Sequence, residues 1–323
     1  MSDHRTTLPT SPHFDLSHLA PGVYAAIATE QGSAGSNAGI VDLGTQTLIF
    51  DAFDSPEAAF DLLAASQELT GRPPSCVVIS HVHWDHWGGA QAIAPHVPIL
   101  TSHAIRAGMP ASVAWIEDLQ QSPDKIYDLM AQEQAHLAAE PGPAQRTALE
   151  RSIRRLERLR GRLPTLSFHY PDLTFDGTLI LHGTARIAEL HVTANGHTLS
   201  DIYLHLPGDR LLFMGDLGFF ASQPFMVFCD PDGWHRHLEH LARLDVDTYV
   251  PGHGPLGTRD DIALQRRYLD VIQEVVTSAV REGVPVDEVL AHVLPPPFDA
   301  WQAAGLARWQ ANIRALYQRS QPS

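Results

Sequence analysis

The chain has 323 residues, 44% of them hydrophobic and 18% charged, with a formal net charge of −15. These values exclude a disordered or collagen-like polymer and allow one sizeable core with appended helices. The acidic balance argues against a long polyanion as partner, since nucleic-acid binding leans on a basic surface, and the two cysteines, Cys76 and Cys229, are too few for a disulfide framework.

Residues 1–9 contain no apolar signal-like run, and no stretch of about 18 apolar residues occurs anywhere. A cytoplasmic location without membrane contact is therefore expected. No composition shift divides the chain, so residues 1–323 are read as one domain. Residues 24–29, 38–42 and 47–51 read as short strands broken by Gly32, Gly35 and Gly44, followed by a helix over 56–69.

Next comes the apolar run Cys76-Val77-Val78-Ile79-Ser80, a buried strand, and directly after it His81-Val82-His83-Trp84-Asp85-His86. The Gly88-Gly89 pair then turns the chain toward a following helix. His81 and His83, two apart in extended backbone, project to the same side, while Asp85 and His86 sit in the turn and reach a second point nearby. A solvated loop explains a lone His-x-His pair better than a metal does. Ligands packed this densely at a strand's carboxyl end instead suggest a two-metal geometry.

A strand over 97–101 leads into residues 103–163, which have helical composition. Within them Leu149, Ile153, Leu156, Leu159 and Leu163 recur at three- and four-residue spacing, with Arg151, Arg154, Arg155, Arg158 and Arg160 on the other faces. This amphipathic helix has several readings: a dimer seam, a lid, an anionic-substrate or nucleic-acid contact through the arginines, or a surface helix with a solvated basic face. The charge balance disfavours nucleic acid.

A second β-rich stretch runs over 173–212, with turns at Asp176-Gly177 and Gly208-Asp209. It contains Gly196-His197-Thr198 and ends in the apolar strand that carries Asp216. A helix over 231–244 opens on Asp230 as its cap. Its His237 and His240 share a face but find no third ligand, so they are read as exposed. Tyr249-Val250-Pro251-Gly252-His253-Gly254 is a short strand ending in an imidazole between glycines.

Residues 261–282, 286–292 and 301–317 read as helices, interrupted by Pro295-Pro296-Pro297. Trp301, Leu306, Trp309, Ile313 and Leu316 are read as core or dimer contacts. His103, His169, His182, His191 and His205 match no motif and are given structural or surface roles.

Taken in order, His81, His83, Asp85, His86, His197, Asp216 and His253 resemble the HxHxDH, Gly-His-Thr, Gly-Asp and Pro-Gly-His-Gly motifs of the metallo-β-lactamase superfamily. The resemblance covers about residues 20–257. It implies an α+β fold, the four-layer αββα sandwich, here with a helical insert (residues 103–163) and a C-terminal helical extension (residues 258–323). It also implies that His81, His83 and His197 hold one metal, that Asp85, His86 and His253 hold the other, and that Asp216 bridges them. Trp84, and Ala194-Asn195 in place of the common Thr-Pro, depart from the pattern and bear on pocket shape.

The expected cofactors are two divalent metal ions, zinc first, with iron or manganese as alternatives. Such ions acidify a shared water to near neutrality, and Asp85 is the carboxylate expected to orient it or receive its proton. Asp51 and Asp201 are candidates to accept the second N–H of ligating imidazoles. Trp84, Trp87, Phe219, Phe220, Phe225 and Met226 lie next to these motifs and are expected to wall an apolar cleft; the alternative is that half of them pack into the core.

The expected activity is hydrolysis of a small ester, lactone, thioester or related substrate by a metal-bridging hydroxide. The runner-up is an oxidoreductase like the mononuclear-iron persulfide dioxygenases; a phosphodiesterase or nuclease of the same fold comes next. A flavodiiron-type reductase lacks its flavodoxin domain here, and a non-catalytic relative would have lost ligands. The expected partner is a small molecule rather than nucleic acid, with a homodimer surface on the insert or the C-terminal helices.

Overall fold

The computed structural model describes residues 8–139, 142–290, 294–301 and 306–321. Its first sheet takes its strands in chain order: β1 (Phe14–Ala20), β2 (Val23–Ala28), β3 (Ala38–Asp42), β4 (Thr47–Phe50), β5 (Cys76–Val78), β6 (Ile99–Ser102) and β7 (Leu173–Phe175). β1 to β4 pair antiparallel as a meander, and β4 to β7 pair parallel through crossovers. Those crossovers are α1 (Pro56–Thr70), the short α2 (Ala90–Ile93), and then α3 (His103–Gln121), α4 (Lys125–Ala138) and α5 (Pro143–Arg162) together.

The second sheet contains β8 (Thr178–His182), β9 (Ile187–Ala194), β10 (Ser200–Leu206), β11 (Leu211–Phe219) and β12 (Thr248–His253), in the order β12-β11-β10-β9-β8. α6 (Pro231–Arg243) connects the parallel pair β11 and β12. The extension comprises α7 (Arg259–Glu282), α8 (Val286–Val289) and α9 (Leu306–Ser320). Of the expected helix over 286–292 the described part is the four-residue α8; residues 291–293 and 302–305, and the side chain of Leu306, lie outside the described residues.

Strand alternation builds the layers. Ile202, Leu204 and Leu206 of β10 point into the core between the sheets, with Val78, Phe50 and Phe213. Tyr203 points the other way, into a second core with Trp234 and Leu238 of α6, Tyr268 and Ile272 of α7, and Trp309 and Ile313 of α9. Leu62 of α1 is likewise fully buried in the first core. Helix, sheet, sheet and helix therefore stack as four layers.

Two expectations need correction. β1 adds a strand before the three expected ones, so the sandwich starts before residue 20. The stretch over 173–212 is not one sheet: β7 closes the first sheet, and the Asp176-Gly177 turn passes the chain to the second, with Gly177 at φ 72°. Local alternation is the same on either side of that turn, so only pairing partners distinguish them.

The two sheets meet where the histidine motif begins. Ile79 N donates to Leu100 O at 2.9 Å within the first sheet, and Ile202 N of β10 donates to Ser80 O at 2.7 Å across to it. The strand that delivers His81 is thereby tied to both sheets. The expected cap of α6 is present: Asp230 accepts from Gly233 N at 3.1 Å, while Asp230 N donates to Gly196 O at 3.0 Å and so pins the His197 turn to the helix start.

Candidate metal centre

All seven side chains singled out in the sequence meet at the edge of the sandwich. Residues 84–86 form a 3₁₀ turn after β5, which swings Asp85 and His86 away from His81 and His83. His197 arrives from the β9–β10 turn, Asp216 from within β11, and His253 from the end of β12. Gly252 permits the close approach of the last two, because a Cβ there would lie 2.0 Å from Asp216 Oδ1. Gly254 follows at φ 97°, a conformation that favours glycine.

The ligand-type atoms fall into two groups, His81, His83, His197 and Asp216 in one and Asp85, His86 and His253 in the other. In the first, His83 Nδ1 is 3.1 Å from His81 Nε2 and 2.9 Å from His197 Nε2, while Asp216 Oδ2 is 3.5 Å and 3.2 Å from the same two Nε2 atoms. In the second, His253 Nε2 is 3.4 Å from Asp85 Oδ2. Asp216 Oδ1 reaches that group, 3.0 Å from His86 Nε2 and 3.4 Å from His253 Nε2. One carboxylate therefore turns one oxygen to each group.

These atoms fit a metal better than they fit one another. A tetrahedral ion with bonds of about 2.05 Å places its ligand atoms about 3.3 Å apart, close to the separations here. Asp216 Oδ1 and His86 Nε2 are buried and only 3.0 Å apart, yet neither makes a hydrogen bond: they face a common point rather than each other. The cluster is suited to hold divalent metal.

The electrostatics agree. Burial, together with neighbouring imidazoles, holds His81 below 6.5 and His83 well below it, leaving their lone pairs free. Burial pushes Asp85 and Asp216 up, but the surrounding histidines outweigh it and keep both well below the usual carboxylate range. For His86 and His253 burial opposes protonation, but the carboxylates win. Asp216 and Asp51 raise His86 well above 6.5, and Asp216 with Asp85 raises His253 to about 9.

Asp51 orients both groups. Buried at φ 65°, it accepts from His86 Nδ1 at 2.7 Å, from Ser80 N at 2.7 Å and from Ser80 Oγ at 2.8 Å. Ser80 Oγ is 3.0 Å from His81 Nδ1, so its hydroxyl relays the same carboxylate to the first group. Ser80 gave no sequence signal beyond its place before the motif. Asp201 takes a different role from the one expected: it accepts from Thr198 N and Thr198 Oγ1 (2.9 Å) and so shapes the turn below His197 without touching the ring.

One other histidine reading changes. His237 is not a free surface residue; its Nε2 bonds Ala194 O at 2.8 Å and steadies the approach to His197. His191 Nε2 and His205 Nδ1 both lie against Glu189 Oε2, at 3.3 and 3.2 Å, on the second sheet.

The centre opens into a cleft of about 1500 Å³. Of the six expected aromatic and Met residues, Trp84, Phe219 and Phe225 line it, while Trp87, Phe220 and Met226 are buried elsewhere. One wall is α5. Its Leu156 and Leu159 line the cleft, and so do Arg151, Arg154, Arg155 and Arg158, which corrects the solvated-face reading of the arginines. Periodicity had put them on separate faces, but the cleft wraps far enough round the helix to meet both.

Comparison with known proteins agrees with this fold. The chain is 22% identical over 298 residues to the linear primary-alkylsulfatase of Pseudomonas sp. (strain ATCC 19151), covering 84% of this chain and 53% of that protein. It thus spans about half the length of that relative. Among solved structures, a stereoselective inverting sec-alkylsulfatase from Pseudomonas sp. matches with a TM-score of 0.64 at 18% identity, over 95% of this chain and 50% of that one. A metallo-beta-lactamase from Pontibacter korlensis matches with a TM-score of 0.56 at 19% identity, over 80% of this chain and 99% of that one. The family model of the metallo-beta-lactamase superfamily matches residues 32–253, the span that carries both sheets' ligand-bearing strands and all seven converging side chains, and the chain belongs to that superfamily.

Proposed function

We propose that the protein is a dinuclear metal-dependent hydrolase of small esters, with sulfate esters, lactones and thioesters in the class to be tested. The observation that carries this reading is the split of Asp216, with Oδ2 beside His81 and His197 and Oδ1 beside His86 and His253. In this reading His81, His83 and His197 hold one ion, Asp85, His86 and His253 the other, and Asp216 both. Two zinc ions bound there would acidify a water to near neutrality and offset charge on the leaving oxygen.

The chain's own groups do the rest. Asp85, ionised and at the cleft-facing side of the centre, offers the carboxylate oxygen that receives the proton of the attacking water. Asp51 and Ser80 keep His86 and His81 in the tautomers whose Nε2 lone pairs face inward. Trp84, Phe219 and Phe225 exclude water from one side of the substrate. The alkylsulfatase relative supports inclusion of sulfate esters.

The test combines elemental analysis of protein purified without added metal, anomalous scattering at the metal edges, and a screen of aryl ester, lactone, thioester, alkyl sulfate and phosphodiester substrates. Two ions per chain and turnover abolished by His81→Ala are expected. A fully loaded protein with one iron and free His86 and His253 would overturn the hydrolase reading in favour of an oxidoreductase like the persulfide dioxygenases.

A further inference from the structure

Most arginines around the cleft have their charge spoken for. Arg151 pairs with Glu30 at 2.5 Å and Arg162 with Glu57 at 3.1 Å; Arg158 donates to the carbonyls of Gln31 and Gly32, and Arg319 to those of Cys229 and Met226. Arg154 of α5 has no carboxylate or carbonyl partner among the described residues. Neither has Arg308 of α9, whose guanidinium lies instead 4.9 Å from the centroid of the Phe225 ring. Phe225 in turn meets the His83 ring edge-on at 5.7 Å. Arg308 is therefore held one aromatic ring away from the first ligand group.

A second guanidinium shares that space. Arg155 of α5 lines the same cleft, tied only loosely to Asp54 at 3.7 Å, and its charge acts on Arg308. Asp85 and Asp216 also reach Arg308, but the histidines already occupy them. Two divalent ions held by the centre would offset those two carboxylates and leave neither free to pair with Arg308. A fork of N–H donors with no acceptor, facing a like charge, is a binding site for an oxyanion.

We propose that Arg308, with Arg155 facing the same space, binds an anionic group on the substrate and selects carboxylate-, sulfate- or phosphate-bearing molecules over neutral ones. The proposal rests on the hydrolase reading for the word substrate, but the subsite itself is independent of turnover. It gives the C-terminal helix a role in specificity: α9 brings the guanidinium to a centre built entirely from other elements.

The test is equilibrium binding by calorimetry to the full chain, both loaded with zinc and stripped by chelator. The probes are octane-1-sulfonate, octanoate and octan-1-ol. They share one tail, and none carries a hydrolysable bond. Wild type is expected to prefer an anion over the alcohol, and Arg308→Ala to reduce that preference by about 10- to 100-fold, the range of a charge-assisted hydrogen bond. Arg308→Lys should retain part of it. Arg160→Ala, which removes a charge of α5 that stacks on Tyr127 outside the cleft, should match wild type.

Sulfonate against octanoate tells a tetrahedral from a planar anion. If Arg308→Ala fails to fold, Arg308→Gln, which keeps the stem over Phe225, carries the same expectation. A wild type that binds no probe, or does not discriminate, overturns the proposal. So does an anion preference that survives loss of Arg308, since the ions or the arginines of α5 would then read the charge. If no ester in the substrate screen turns over while Arg308-dependent binding persists, the hydrolase reading falls and the subsite stands.

Discussion

Replacing Asp51 with Asn separates the charge at this position from everything else it does. Asn has nearly the same shape and tolerates the left-handed backbone at φ 65°. The carboxylate accepts three hydrogen bonds, Ser80 N on Oδ1 and both Ser80 Oγ and His86 Nδ1 on Oδ2. If the amide oxygen keeps the bond to Ser80 N, its NH₂ faces His86 Nδ1, and the imidazole must shift its proton to Nε2. That nitrogen is the one 3.0 Å from Asp216 Oδ1, where the second ion would sit. A protonated Nε2 cannot ligate.

The cost is one hydrogen bond to a charged group, about 1.5–3 kcal/mol, which corresponds to a loss of about 10- to 100-fold in affinity for the second ion. Stepwise zinc titration against a chromophoric chelator resolves the two events. The first ion should be less affected, because the path from Asp51 to His81 runs through the Ser80 hydroxyl, which can rotate. Second-ion affinity within about threefold of wild type would refute the tautomer argument.

Asp216→Ala should lose both ions and all turnover, whereas Asp201→Ala should keep measurable metal and reduced activity, because the Asp201 carboxylate bonds Thr198 and not a ligating ring; metal content and rate measured together decide it. Asn312→Ala should lower the stability of metal-free protein by about 2–4 kcal/mol in urea, since it orphans the buried Met226 N and Pro224 O, each bonded to Asn312 at 2.8 Å. Metal-free protein should be most stable near pH 6.5. Below it, unfolded histidines take up protons that His81 and His83 resist; above it, the stability that His86 and His253 gain from protonation is lost as pH rises toward about 9. Melting temperatures in chelator from pH 5 to 10 test this, and a flat profile would contradict the charge assignment.

The centre was legible in the sequence because its chemistry is written locally. Four of its seven residues follow one apolar strand within six positions, and the others close apolar runs or sit beside glycines. Chain order alone then identified the set, and the cap at Asp230 and the amphipathic insert were readable for the same reason: each rests on neighbours within a turn or two of backbone.

Tertiary structure decided what those local patterns face. Helical periodicity separates the leucines of α5 from its arginines, but it cannot say that a cleft will wrap both faces. The bonds from Asp51 directly to His86, and through Ser80 to His81, span residues 51–86 and depend on the pairing of β4 with β5. The split between β7 and β8 depends on pairing partners that no single strand reveals. Arg308 carries no motif at all; packing of α9 against α7, around Trp309 and Ile313, is what brings it over Phe225. Sequence fixes which groups share a face or a strand end, because those relations depend on backbone geometry over a few residues. Which face meets which depends on the closure of the whole chain around its two cores.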